Sequence, residues 1–373
     1  MQSLDNNSQA FLALVRAGLW GTDARLLQFN DIDYSRVLSL AEEQSVVGLV
    51  AAGIEHVTDI KVPKEDVLQF VGQALQLEQQ NQAMNYFIGV MVDKMRRAGI
   101  YTLLLKGQGI ARCYEKPLWR ACGDVDFFLS DENYEKAKTF LTPLASNVEG
   151  EYKREKHLGM TIDPWVVELH GRLYSGLSLK VEKELDRVFQ DTFYGGNVRS
   201  WNNENVQVFL LSPENDAFYV FTHILQHFYK GGIGLRQICD WCRLLWTYRD
   251  EIDLKLLEKR IQRAGLKSEW KAFSALAVDN LGMDAETMPL YSSDIKWKRK
   301  ADRICSFIRE VGNFGHNRDK CYFGKYPYLI RKAISLGHRI GDMYRHARIF
   351  PLDSFRFLPA IVINGLGSAI RGE

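Results

Sequence analysis

The sequence predicts an α+β protein, a mixed-sheet core with helical regions before and after it in the chain. Three observations predict this. Apolar residues recur at helical spacing through residues 1–99, and short apolar runs punctuated by glycine crowd residues 100–211. Helical periodicity then returns after Ser212. With 46% hydrophobic and 25% charged residues over 373 positions, the chain can bury a core and is not disordered. Its 48 Lys and Arg against 46 Asp and Glu leave +2, which gives no overall case for a nucleic-acid binder.

In the first segment, residues 1–99, Phe11, Leu12, Val15 and Leu19 mark one helix and Val37, Leu38, Leu40 and Ala41 another. A long helix is expected from Pro63, with acids in its first turn, Lys94, Arg96 and Arg97 in its last, and Gly99 as the stop. From residue 100 the pattern reads strand (IYTLLL), glycine turn and helix (KGQGIARCYEK), strand (CGDVDFFL) and helix (DENYEKAKTFL). Further strands are expected around Met160–Ile162 and Val166–His170, then in NVRSW and VQVFLL. Ser212-Pro213-Glu214 reads as a capped helix start, and helices should run to about Asn313 within a third segment, 212–317. The last segment, 318–373, is a basic and then apolar tail. Its residues 318–348 carry eight Lys or Arg against two Asp, usually a solvated face, with contact to a nucleic acid or an anionic membrane as the alternative.

The first residues lack a basic n-region and a small-residue cleavage site, and six cysteines are sparse for this length. Reduced thiols and a cytoplasmic location are the expectation.

Asp124 and Asp126 are separated by one residue inside a strand pattern, so both carboxylates point to one face. Like charges that close call for a cation, and hard oxygens suit Mg2+. Upstream, Lys106-Gly107-Gln108-Gly109 follows a strand and opens a helix, where bare backbone N–H groups and a lysine can cradle phosphate. An Asp-x-Asp alone is usually a strand edge and a lone Gly-x-Gly is weak; the two together in one strand–turn–helix–strand unit are specific.

With these residues in order (Lys106-Gly107, Tyr114, Arg120, Gly123-Asp124, Asp126) the chain resembles bacterial nucleotidyltransferases of the DNA polymerase β-like superfamily. In place of the Gly-Ser turn of the better-known relatives it carries Lys-Gly-Gln-Gly. The resemblance implies a polymerase β-like mixed-sheet core and a third acid on a later strand. VVELH offers Glu168, on the same face as Val166 and His170. It also extends to an H-x3-H helix and an R-x3-D helix, matched by His223/His227 and Arg236/Asp240, either as phosphate contacts or as a buried brace between helices.

The resemblance implies transfer of a nucleoside monophosphate from an NTP to the hydroxyl of an unknown acceptor. Asp124, Asp126 and Glu168 would hold two Mg2+ ions, with Glu168 also able to take the acceptor's proton. Lys106, Gly107, Gly109 and Gly123 would hold the triphosphate, and Arg120 and Arg236 its charge. Two other readings stand beside it. One is a non-catalytic nucleotide-binding scaffold on the same fold. The other is a nucleic-acid module stapled by zinc on His223, His227, Cys239 and Cys242, although small thiols in an amphipathic helix are usually core residues. Oligomeric state is open.

Overall fold

A computed structural model describes residues 5–313, 328–354 and 356–357. Four helices come first: α1 (Asn6–Trp20), α2 (Tyr34–Glu43), α3 (Val47–Glu55) and α4 (Lys64–Arg97). Asp5 and Asp33 cap the first two, each side chain accepting a backbone N–H that the helix leaves unpaired. The α4 helix starts one residue after Pro63 and stops where expected, with Gly99 at φ 71°.

The core follows: β1 (Thr102–Leu105), α5 (Gly107–Ala111), β2 (Asp124–Leu129), α6 (Asp131–Leu141), β3 (Asn147–Val148), β4 (His157–Ile162), β5 (Trp165–His170), α7 (Leu179–Phe193), β6 (Val198–Asn203) and β7 (Val206–Leu211). Among the described residues these strands make one seven-stranded mixed sheet in the order β3-β4-β5-β2-β1-β7-β6. The β2–β5 and β1–β7 pairs are parallel and the others antiparallel. Flanking helices on both sides make this the α+β class that the sequence predicts.

Three elements differ from the sequence reading, the first being the two-residue β3, which it does not contain. The β4 strand starts three residues before Met160, because Gly159 and the polar His157 interrupt the apolar run that would mark it. The α7 helix stands where only strands were expected. Its Val181, Leu185, Val188 and Phe189 keep helical spacing and are buried, and Ser178 caps it.

After the sheet come α8 (Pro213–Lys230), α9 (Leu235–Thr247), α10 (Leu254–Ala264), α11 (Lys267–Ala275), α12 (Ile295–Val311) and α13 (Tyr328–Ile349). Pro213 opens α8 as expected, but the Ser212 hydroxyl donates to Glu214 at 2.6 Å and does not cap the helix. Of the basic tail, residues 318–327 and 358–373 lie outside the described residues.

The two faces of the sheet pack differently. Val125, Phe127, Leu129, Val167, Leu169 and Met160 share a buried cluster with Met84, Ile88, Met91 and Met95 of α4. Phe128, Leu103 and Leu105 point the other way, into a cluster with helices α7 to α9. By strand alternation Asp124, Asp126, Glu168 and His170 belong to that second face. They sit where apolar packing gives way to polar side chains.

Candidate active site

Parallel pairing of β2 and β5 places Asp126 opposite Glu168 and Asp124 opposite Val166. Carboxylate oxygens of Asp124, Asp126 and Glu168 all lie within 4.8 Å of one another. Asp126 is 1% exposed, so its charge must be met inside the protein. Lys106 Nζ meets one oxygen at 3.3 Å and His170 Nε2 the other at 2.8 Å. Glu168 Oε2 receives two imidazoles, His157 Nε2 at 3.2 Å and His170 Nε2 at 3.3 Å.

The electrostatics separate the three acids. The charge of Asp126, then burial, pushes the Asp124 carboxyl up, with Lys106 opposing. Burial also disfavours charge on Glu168, but the hydrogen bonds from His157 and His170 outweigh it and hold that carboxyl well below its usual range. His170 is raised for the reciprocal reason: burial works against its charge, and the bonds to Asp126 and Glu168 win. Lys106 is likewise held charged, with burial overcome by Asp126, Tyr219, Asp124 and Glu168.

Lys106 stands at φ 48°, ψ −138°, a backbone region that a side chain rarely adopts. The next residue, Gly107, also has positive φ, at 43°. This double turn carries the chain from β1 into α5 while aiming the lysine at Asp126. A Cβ at Gly109 would lie 2.7 Å from Leu210 Cδ2, so this glycine lets α5 close onto β7. At Gly123 a Cβ would meet nothing within 4 Å, which leaves open space beside Asp124. The α5 helix has only five residues, so its dipole adds little to any anion site.

Three acids, a lysine and two imidazoles thus converge from β1, β2, β4 and β5. The family of uncharacterised nucleotidyltransferases matches residues 30–282. The chain belongs to this family. No curated protein and no solved structure matches it. The match takes in every strand of the sheet and both aspartates.

In this member of the family the remaining sequence-predicted residues form a second polar layer. Arg120 donates from Nε and Nη2 to the two oxygens of Asp240, at 3.0 and 2.6 Å, and the Tyr114 hydroxyl donates to Asp240 at 2.8 Å. Both members of the ion pair are under a tenth exposed. Arg236 Nη1 donates to the Ala121 carbonyl at 2.8 Å. The Nη1 atom of Arg120 and the Nε atom of Arg236 are buried with no partner. His223 and His227 bond to each other through their Nε2 atoms at 3.1 Å. Burial, then the Lys106 charge, keeps His223 well below its ordinary value and His227 down to about 4.

A small cleft of about 30 Å³ is lined by Tyr114, Lys116, Trp119, Arg120 and Arg236 together with Gly48 and His56. None of the three acids lines it. Cys239 and Cys242 are fully buried in the helical core. The clusters of potential metal ligands among the described residues contain no cysteine.

Sequence reasoning passed over two groups. His157 was hidden at the unrecognised start of β4. Asn81 lies in the Gln-rich middle of α4, yet it is buried and bonds Gln108 and the carbonyls of Leu118 and Arg120. It ties the glycine turn and the Arg120 loop to one helix. An asparagine on the buried stripe of an amphipathic helix was the available signal. Among the described residues no helix is long and apolar enough to cross a membrane.

Proposed function

We propose that this protein moves a nucleoside monophosphate from an NTP to an acceptor hydroxyl with the help of divalent metal ions. Residues 100–211 would form the transfer core, with 1–99 and 212–317 as flanking helical regions. The observation that carries the reading is the convergence of Asp124, Asp126 and Glu168 within 4.8 Å on one sheet face. Three carboxylates so close, met by one lysine and two imidazoles, leave negative charge that suits a divalent ion. Asp124 and Asp126 would hold the ions, Mg2+ on the triphosphate side, with Glu168 as a further ligand on the acceptor side. Bound there, such ions stabilise charge on the transferring phosphoryl group and acidify a coordinated hydroxyl.

The chain's own groups then have distinct tasks. Lys106 balances Asp126 and faces the space that the triphosphate takes, beside the open side of Gly123. The hydrogen bonds from His157 and His170 keep Glu168 ionised, the form that would hold a metal ion and take the acceptor's proton. Arg236 and the neutral pair His223 and His227 would face the phosphates, while Arg120 and Asp240 hold the loop that carries Ala121 and Cys122. In the reaction the acceptor hydroxyl gives its proton to Glu168 as its oxygen attacks the α-phosphorus, the bond to the β-phosphate oxygen breaks, and pyrophosphate leaves.

The test supplies α-labelled NTPs and Mg2+ to the purified protein with a cell-extract fraction as the acceptor source. Metal-dependent pyrophosphate release with a labelled adduct is expected from the parent and not from Asp126→Asn. A parent that releases none with any of the four NTPs contradicts the proposal.

A further inference from the structure

The metal ligands that the sequence motif points to are all carboxylates, but the structure adds two imidazoles to them. His157 and His170 approach the same oxygen, Glu168 Oε2, at 3.2 and 3.3 Å, and His170 Nε2 also lies 2.8 Å from Asp126 Oδ1. The ligand atoms of His157, Glu168 and His170 all fall within 4.8 Å of one another. Two ring nitrogens carry at most two protons for these three contacts, so hydrogen bonding alone leaves His170 shared between two acceptors.

We propose that His157, Glu168 and His170 form a site for a borderline divalent transition-metal ion of the Zn2+ or Fe2+ class, selective against Mg2+. The spacing fits. Ligands on such an ion at bond lengths near 2.1 Å are separated by about 2.9 Å in octahedral and about 3.4 Å in tetrahedral geometry. The His157–Glu168 and His170–Glu168 separations, 3.2 and 3.3 Å, fall between these values. The donor set fits as well: two imidazole nitrogens, His170 giving up its proton as the ion binds, with one carboxylate oxygen suit zinc or iron, whereas Mg2+ prefers oxygen and keeps its waters. The rings come from neighbouring antiparallel strands, since His157 pairs with His170 across β4 and β5, and their centroids are 4.8 Å apart. The sheet therefore pre-forms the site with little to reorganise.

The inference rests on the nucleotidyl-transfer reading only through the shared ligand Glu168. Together the two readings describe a mixed pair, Mg2+ on the triphosphate and a more acidifying ion on the acceptor side.

Cobalt(II) is the probe, titrated into chelator-treated, nucleotide-free protein. One Co2+ per chain is expected, with the intense visible bands of a four- or five-coordinate ion, displaced by Zn2+ and not by excess Mg2+. His157→Ala should weaken Co2+ binding about tenfold or more, as loss of a ligand does. Asp124→Asn, outside this set, should retain it. If His157→Ala does not fold, imidazole-nitrogen coupling to Mn2+ in spin-echo spectra of the unaltered protein gives the same answer. A pale octahedral spectrum erased by Mg2+, equal affinity in folded His157→Ala, or absent nitrogen coupling overturns the site. Tight imidazole-bound cobalt in a protein that binds no NTP supports this site and removes the transfer reading. Mg2+-dependent NTP binding without imidazole-bound cobalt removes this site alone.

Discussion

Lys106 Nζ lies 3.3 Å from Asp126 Oδ2, with the lysine side chain 15% exposed and the aspartate 2%. A lysine at an exposed turn would be solvated without ligand and its loss would hardly disturb the fold. This one is half of a buried pair, and it is held in a strained backbone conformation to reach its partner.

Lys106→Ala should therefore cost roughly 3 kcal/mol of stability, as breaking a buried pair does, besides weakening NTP binding. Lys106→Gly removes the same charge but relaxes the positive φ, so it should be more stable than Lys106→Ala by about 1 kcal/mol. Urea unfolding of the two variants checks this. Equal stabilities would mean that the turn stores no strain.

Much of the site was legible because period two is strict. Asp124-x-Asp126 and Glu168-x-His170 had to share faces once their segments were strands, whereas the parallel pairing that sets Asp126 opposite Glu168 is set by the tertiary fold. What stayed hidden depended on partners distant in sequence. Nothing local to His157 says that it will meet Glu168, and nothing in the spacing of Arg236 and Asp240 says that Asp240 belongs to Arg120, 120 residues away. The zinc alternative had permissible spacing. Only the burial of Cys239 and Cys242 shows that those thiols face the core.

The Arg120–Asp240 pair should behave as a buried, coupled unit. Asp240→Ala strands a guanidinium in the core and is expected to cost about 3–5 kcal/mol. A double-mutant cycle with Arg120→Met should recover a large part of that loss, because the second change removes the stranded charge. Additive losses would show that the two residues act separately.

Glu269 gives the fold a pH dependence of its own. Burial, with Asp353 nearby, pushes its carboxyl up to about 8, against an ordinary value of 4.5. Between these values the folded chain holds a proton that the unfolded chain has released. Stability contributed by this group is therefore full below pH 4.5 and falls as pH rises towards 8. The slope is at most about 1.4 kcal/mol per pH unit. Glu269→Gln should flatten that slope and stabilise the protein at pH 8. Denaturant midpoints at several pH values measure it, and an unchanged slope would show that Glu269 is ionised in the fold.

Asp124 carries the like-charge repulsion of the cluster, since the charge of Asp126 is the main cause of its raised carboxyl. Asp124→Asn should melt in EDTA at or above the parent temperature, because it relieves repulsion, yet lose stabilisation by Mg2+ with NTP. A large destabilisation in EDTA would make Asp124 a structural residue.

The central claim is that these carboxylates bind nucleotide through metal. Calorimetric titration of the four NTPs, with Mg2+ and then with EDTA, tests it without needing the acceptor. At least one NTP should bind only when the divalent ion is present, and Asp126→Asn, still folded, should lose this binding. Equal NTP affinity in EDTA, or full affinity in Asp126→Asn, would contradict it.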